Sequence, residues 1–145
     1  MAIIADDRYL FTSDQQNGDI KQFRVADGRM IKHYSALCDG GVGAMITTPD
    51  NKYLFAGSRN GNLKQICLES QEVICDYGKI HDSGYCILQT TRESKYLITG
   101  GPGKHAKRIS IENRAVETEF GLVCDYAITA MKISADQENL LLRDQ

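Results

Sequence analysis

The sequence predicts an all-β fold made from one four-stranded sheet repeated along the chain. Three observations carry this prediction. A block of sequence recurs: DDRYLFTSDQQNGDIKQFRV from Asp6, DNKYLFAGSRNGNLKQICL from Asp50, ESKYLITGGPGKHAKRISI from Glu93, and a shortened DQENLLLRDQ from Asp136. Within the second copy, Asn60-Gly61 parts two apolar runs. That is the strongest short-range hairpin signal, because a tight turn needs positive φ at its central residues. Finally, no stretch of three turns carries an apolar stripe at helical spacing.

The repeats fix the order of elements. Tyr9, Tyr53, Tyr96 and Asn139 are equivalent and lie 44, 43 and 43 residues apart. The extra residue falls in the turn SDQQNG, where an insertion costs least. In the second unit, strand a is expected over Val42 to Thr48, b over Lys52 to Gly57, c over Leu63 to Leu68 and d over Glu72 to Tyr77. The first unit places c at Ile20 to Val25 and d at Met30 to Tyr34. The third places a at Tyr85 to Thr91, b at Tyr96 to Thr99, c at Ala106 to Ile111 and d at Val116 to Phe120. These segments are rich in Tyr, Phe, Ile, Val and Thr, which suit a pleated, packed surface. Gly, Asn, Asp and Ser fill the breaks, and both prolines, Pro49 and Pro102, stand in connections. The expected organisation is a single unit over 1–145, with repeats at about 6–49, 50–92 and 93–135 and a partial fourth at 136–145.

A four-stranded antiparallel sheet of this size cannot hide both faces alone, so it must stack on its own copies. Four strands in about 43 residues is the period of β-propeller blades. The repeats resemble the WD-repeat family over essentially the whole chain. His81 lies fifteen residues before Tyr96, where the family places the His of its Gly-His pair. Cys38 and Cys124 hold that position in the other repeats, and Asp39, Asp82 and Asp125 follow. The family's Ser-Pro-Asp-Gly turn survives as Thr48-Pro49-Asp50-Asn51, and more weakly as Thr91-Arg92-Glu93-Ser94 and Ser134-Ala135-Asp136-Gln137. The strand-c Trp is replaced by Phe23, Ile66 and Ile109, and the Asp after it by Arg24, Cys67 and Ser110. The chain has no Trp at all. The resemblance therefore implies divergent blades whose His-Ser-Asp-Trp hydrogen-bond network is absent or reduced.

Along strand c, Ile20, Leu63 and Ala106 share a face with Gln22, Gln65 and Arg108. Stacked blades would partly bury these polar groups, and each buried one needs a partner or costs about 1–3 kcal/mol. They either snorkel to an edge and bond backbone or form a polar row linking adjacent blades. Tolerance of Gln65→Leu goes with the first arrangement, a large loss of melting temperature with the second.

Met1 aligns with Met45, in the middle of strand a, and Gln145 with Pro102, just after strand b. Propellers close with at least ~4 blades, so three repeats with two partial ends leave open edges and exposed blade faces. The expectation is a piece of a larger propeller, with a self-associating half-propeller as the alternative.

A chain of 145 residues fits one domain and suffices for a sizeable core. It is 42% hydrophobic and 25% charged, the balance of a soluble globular protein. A net charge of −2 with mixed signs gives no electrostatic case for nucleic acid or an anionic membrane. No apolar run approaches the roughly 18 residues of a membrane span, and MAII followed by Asp6-Asp7-Arg8 lacks the basic segment of a signal peptide. The five cysteines, Cys38, Cys67, Cys75, Cys86 and Cys124, are odd in number and include no Cys-x-x-Cys pair. Neither a disulfide framework nor a zinc site is expected, and reduced thiols in a cytoplasmic setting are.

Candidates for chemistry are few. His33, His81 and His105 lie in unrelated contexts, with no His-x-x-x-His and no paired carboxylates, so structural or solvent-exposed roles are expected. Gly100-Gly101-Pro102-Gly103-Lys104 lacks the first glycine of a phosphate loop and has His105 where Ser or Thr belongs; it reads as the turn that replaces Asn60-Gly61. Buried strand cysteines act as small apolar groups. Cys38 and Cys124 are expected to be more exposed, without a base or cationic helix terminus to activate them. No cofactor, metal or catalytic residue is expected.

Binding has more support. The resemblance implies docking on the face made by the d-to-a and b-to-c connections. Carried over by position, these include Asp39, Gly40 and Gly41, then Asp82, Ser83 and Tyr85, then Asp125 and Tyr126. The b-to-c turns add Gln15, Gln16, Arg59, Asn60, Lys104 and His105. Tyr126 is the best single anchor, since aromatics dominate interface energetics. The expected function is a non-catalytic scaffold for a protein or peptide partner. The alternatives are self-association through open blade edges and a fragment of a propeller enzyme.

Overall fold

The computed structural model describes residues 2–82, 87–101, 105–122, 128–133 and 140–144. Every element among them is a strand. Blade I is β1 (Ala2–Ala5), β2 (Tyr9–Ser13), β3 (Ile20–Arg24) and β4 (Met30–Tyr34). Blade II is β5 (Val42–Thr47), β6 (Tyr53–Ser58), β7 (Asn62–Cys67) and β8 (Glu72–Lys79). Blade III is β9 (Ile87–Thr90), β10 (Tyr96–Gly100), β11 (His105–Ser110) and β12 (Ala115–Leu122), and β13 (Ile128–Ile133) pairs with β14 (Leu140–Asp144). Each blade is an antiparallel meander in chain order, and β13–β14 form a two-stranded sheet. There is no helix long and apolar enough to cross a membrane among the described residues.

Period-2 alternation assigns each strand residue to one of two seams. On β6, Leu54 and Ala56 pack with Phe11, Ile20, Val42 and Ile66 between blades I and II. Phe55 and Tyr53 point the other way and pack with Leu63, Leu97 and Ile109 between blades II and III. Phe11, Phe55, Leu54, Leu63, Leu97 and Ile109 are fully buried, each contributing roughly 1.5–3 kcal/mol through removal from water. A bulge between Val42 and Ala44 turns Val42 to the same seam as Met45. Among the described residues the buried core forms a pair of blade-to-blade seams, and blade II belongs to both.

The turns depart from expectation in one respect. Only Gly61 has positive φ, 88°, while Asn60 does not. Ser58 and Asn62 end the flanking strands, and Gly61 N–H donates to Ser58 O at 3.1 Å. The connection is a three-residue turn closed by a left-handed glycine, not a two-residue hairpin. Ser58 makes the longer form work, accepting at Oγ from the N–H groups of Asn60 and Asn62. The a-to-b turn of blade II behaves as its sequence suggests. Thr48 Oγ1 accepts from Tyr53 N–H, Asp50 Oδ1 accepts from Lys52 N–H, and Asn51 takes φ 58°. Thr91 and Ser94 repeat that geometry in blade III.

Two strands outrun their predicted ends: β8 reaches Lys79 and β12 reaches Leu122. Bulges in β7–β8 and β11–β12 accompany the extension.

The polar row is resolved as well. Gln22 and Gln65 are fully buried, and Gln65 Oε1 accepts from Tyr77 Oη at 2.7 Å. Since β7 and β8 lie in one blade, this bond does not link neighbours. Arg108 instead stacks over Tyr96, 4.6 Å from the ring centre, with Glu117 3.5 Å away. The row neither snorkels nor bridges blades: Gln65 and Arg108 find partners in their own sheets, while Gln22 Oε1 is buried without one.

Candidate functional site: the loop face

The first d-to-a connection runs between the b-to-c turns of blades I and II, and the second rests on the b-to-c turn of blade II. At the first seam, Cys38 N–H donates to Gly18 O and Val42 N–H to Asp14 O, while Arg59 N–H donates to Gly41 O. At the second, Ile80 N–H and His81 N–H both donate to Gly61 O. A Cβ on Gly18 would lie 1.9 Å from Cys38 O, and one on Gly61 1.9 Å from His81 O. Both glycines also have positive φ. No other residue satisfies conformation and clearance together, so the face is built on backbone contact.

Of the predicted binding residues, Asp39 and Asp82 are exposed and Arg59 is half-buried. Arg59 Nη2 donates to Gln15 Oε1 at 3.0 Å, tying the turns of blades I and II across the connection. Asn60 lies against Gly40, where a Cβ would come within 2.7 Å of its amide. Arg59, Gln15, Asn60 and Gly40 are therefore brought together. Asp39 and Asp82 are not, since each sits on a different seam. Gln16 is exposed and His105 half-buried, its Nδ1 3.6 Å from Glu119 Oε1. Ser83, Tyr85, Lys104, Asp125 and Tyr126, as well as Cys86 and Cys124, lie outside the described residues.

Under this face, each seam has its own chemistry. His81 is buried and its Nε2 lies 2.9 Å from Thr99 Oγ1. Burial, helped by the Lys107 ammonium, pushes the imidazole down to about 4. Lys107 Nζ donates to Ile80 O. The His–Thr pair is a buried hydrogen-bonded link at this seam, and Ile109, where the resemblance expects Trp, is a buried apolar group.

At the first seam Cys38 replaces His81 and Ala56 replaces Thr99, both buried in one apolar cluster. Cys38 is not the exposed thiol expected. It is 4% exposed, and burial pushes it up to about 11, which disfavours the thiolate. Cys38, Cys67 and Cys75 are free thiols.

A small cavity of about 60 Å³ lies beside Cys38 and Lys64, and a larger one of about 290 Å³ beside His81, His105 and Lys107. Among the described residues no group of three or more His, Cys, Asp or Glu side chains could hold a metal ion.

Sequence reasoning missed the strand-c lysines, Lys64 and Lys107, which lie beneath the connections. The signal was present: Lys21, Lys64 and Lys107 occupy one aligned position in DIKQF, NLKQI and HAKRI. The missed Thr99 could have been found by pairing His81 with the polar residue of the following strand b.

No family model and no curated protein matches this chain. Its fold does match solved structures. A structure of U3-55K superposes with TM-score 0.81 at 16% identity. A crystal structure of RRP9 WD40 repeats superposes with TM-score 0.80 at 17% identity. Each alignment covers 99% of this chain and 50% of the other, so the chain spans half the length of these structures. With three complete sheets and a two-stranded fourth, the chain has the fold of WD-repeat β-propeller blades, in a divergent form without tryptophan.

Proposed function

We propose that this chain is a non-catalytic scaffold, acting in the cytoplasm, that binds a protein or peptide partner through its loop face. The observation that carries the reading is the backbone stitching of that face. The first connection, hydrogen-bonded to turns on both sides, and the second, hydrogen-bonded to the turn at Gly61, present Asp39, Arg59 and Asp82 from a fixed frame. A fixed frame lowers the ordering cost of binding, and exposed charges of both signs set register more than raw affinity. Tyr85, Asp125 and Tyr126 belong to the same proposed face by their sequence positions. The test is a charge-reversal variant, Asp39→Lys with Arg59→Glu and Asp82→Lys, compared with wild type in crosslinking from cell extract. Loss of one specific partner at unchanged melting temperature supports the reading. Retention of every partner, or turnover by the wild-type protein on hydrolase substrates, removes it.

Self-association is a second reading, favoured by one observation. Leu10 and Phe23, on the face of blade I turned away from blade II, are only half-buried. Their equivalents Leu54 and Ile66 are wholly covered. A clean monomer in sedimentation at high concentration removes this reading.

A further inference from the structure

Asn-Gly occurs twice in the chain, at Asn17-Gly18 and Asn60-Gly61, in the b-to-c turns of blades I and II. With no Cβ on the glycine, its backbone nitrogen is open to attack the amide carbon of the preceding side chain, one source of asparagine's thermal lability. Both asparagines are exposed. In both turns the asparagine N–H is already bonded, to Asp14 Oδ1 in one and to Ser58 Oγ in the other.

The turns differ at the next nitrogen. Gly61 N–H donates to Ser58 O at 3.1 Å, and that bond must break before the nitrogen can act as a nucleophile. The first turn is one residue longer. It closes through Asp14 N–H to Asp19 O and through the Asp14 carboxylate, which accepts from Gln16 N–H and Asn17 N–H. Gly18 N–H meets no acceptor among the described residues. This contrast is internal to each turn and independent of what covers it.

We infer that Asn17 is a site of spontaneous succinimide and isoaspartate formation, and that the fold protects Asn60 from the same reaction. Gly18 N gives up its proton to solvent base and bonds to Asn17 Cγ. The Cγ–Nδ2 bond breaks, and the nitrogen leaves with a proton as ammonia. Water then opens the succinimide ring. Addition at Cγ returns an ordinary aspartate, whereas addition at the main-chain carbonyl carbon leaves the backbone running through the side-chain methylene. One water is consumed and one ammonia released, with no change of oxidation state.

Conversion undoes the first seam. Asn17 Nδ2 donates to Asp14 Oδ2 at 3.1 Å, so a carboxylate replaces a donor beside Asp14, which already feels the charge of Asp19. In the isoaspartate form the backbone before Gly18 is one methylene longer. Gly18 stands where a Cβ would lie 1.9 Å from Cys38 O, and its carbonyl accepts from Cys38 N–H at 3.2 Å. A contact with no room for a methyl group does not absorb a displaced backbone. The seam therefore loosens at Cys38, which native packing buries.

The test incubates the full chain at mildly alkaline pH, folded and in urea. Peptide mass spectrometry follows both turns, and enzymatic methylation reports isoaspartate. In urea the two Asn-Gly pairs should convert at similar rates. In the folded chain Asn17 should convert at least about fivefold faster than Asn60, the factor of one backbone hydrogen bond. Cys38 should become open to maleimide in aged wild type and stay shielded in equally aged Asn17→Gln, whose longer side chain cyclises far more slowly. Equal conversion of the two sites in the folded chain overturns the inference. So does survival of Asn17 over the time that half-converts the unfolded chain. Aspartate without isoaspartate overturns the succinimide route, and unchanged Cys38 labelling overturns the effect on the seam.

Discussion

The two seams solve one packing problem in opposite ways. Between blades II and III a buried His81 and Thr99 satisfy each other; between I and II, Cys38 and Ala56 leave nothing to satisfy. Both seams share the same backbone frame, with a turn glycine against a connection carbonyl. The chemistry under that frame is interchangeable provided both members change together, since a buried polar group costs most when its partner alone is lost. The frame itself is not interchangeable.

The largest expected effect breaks the frame. Gly61→Ala forces a Cβ against His81 O at positive φ, and should cost about 3 kcal/mol or more, read as a fall in denaturant midpoint. Gly28, also at positive φ but with nothing within 4 Å of a Cβ, isolates the conformational part; Gly28→Ala should cost only about 1 kcal/mol. Equal losses from the two would show that the contact with His81 O is unimportant.

Next come the exchanges between seams. Thr99→Ala strands a buried imidazole and should cost about 1–3 kcal/mol by urea unfolding. Adding His81→Cys, which copies the first seam, should recover most of that loss. A double variant less stable than Thr99→Ala would show that the two seams are not equivalent.

Acid distinguishes the seams further. His81 has a folded value of about 4, below its ordinary 6.5, so the folded state binds fewer protons. The stability held by the neutral ring is complete above pH 6.5 and declines as pH falls toward about 4. The loss is about 2 kcal/mol after allowing for the solvent that reaches the ring. Asp14, Asp19 and Asp27, held low mainly by backbone N–H donors, keep their stabilising contribution through this range and lose it only at lower pH, below the ordinary carboxylate value. Melting temperatures of the wild type and of His81→Cys with Thr99→Ala should therefore diverge between pH 6 and 4.5, a window inside the interval from 6.5 to about 4. Parallel curves would remove His81 as the cause.

The smallest effect concerns the buried glutamines. Gln65 accepts from Tyr77 Oη, whereas in blade I Gln22 Oε1 and Tyr34 Oη are both buried with no hydrogen-bond partner. Gln65→Leu should cost about 1 kcal/mol by stranding the Tyr77 hydroxyl, while Gln22→Leu should be neutral or slightly stabilising in thermal melts. The reverse order would show that Gln22 is the better satisfied of the two.

How much of this could be read from the chain follows from what repeats. The sheet count, the strand order and the a-to-b turn at Thr48–Asn51 recur in the sequence, and local rules suffice for them. The length of the turn at Gly61 was misread because Asn-Gly marks several turn types, and the choice here is made by Ser58 and by His81 O across the seam. The burial of Cys38 was invisible for a similar reason: its environment is Ala56 and Ile66 of the next sheet, not its own loop. The Thr99 partner and the lysines beneath the connections depend on which blade face meets which connection, which no single repeat contains.

The seam hydrogen bonds have a consequence for synthesis. Asp14 O and Gly18 O of the first blade are met by Val42 and Cys38, residues that leave the ribosome only after that blade's last strand. Each unit is therefore finished by the chain that follows it. During translation the newest unit always waits, half-sewn, for its successor to emerge.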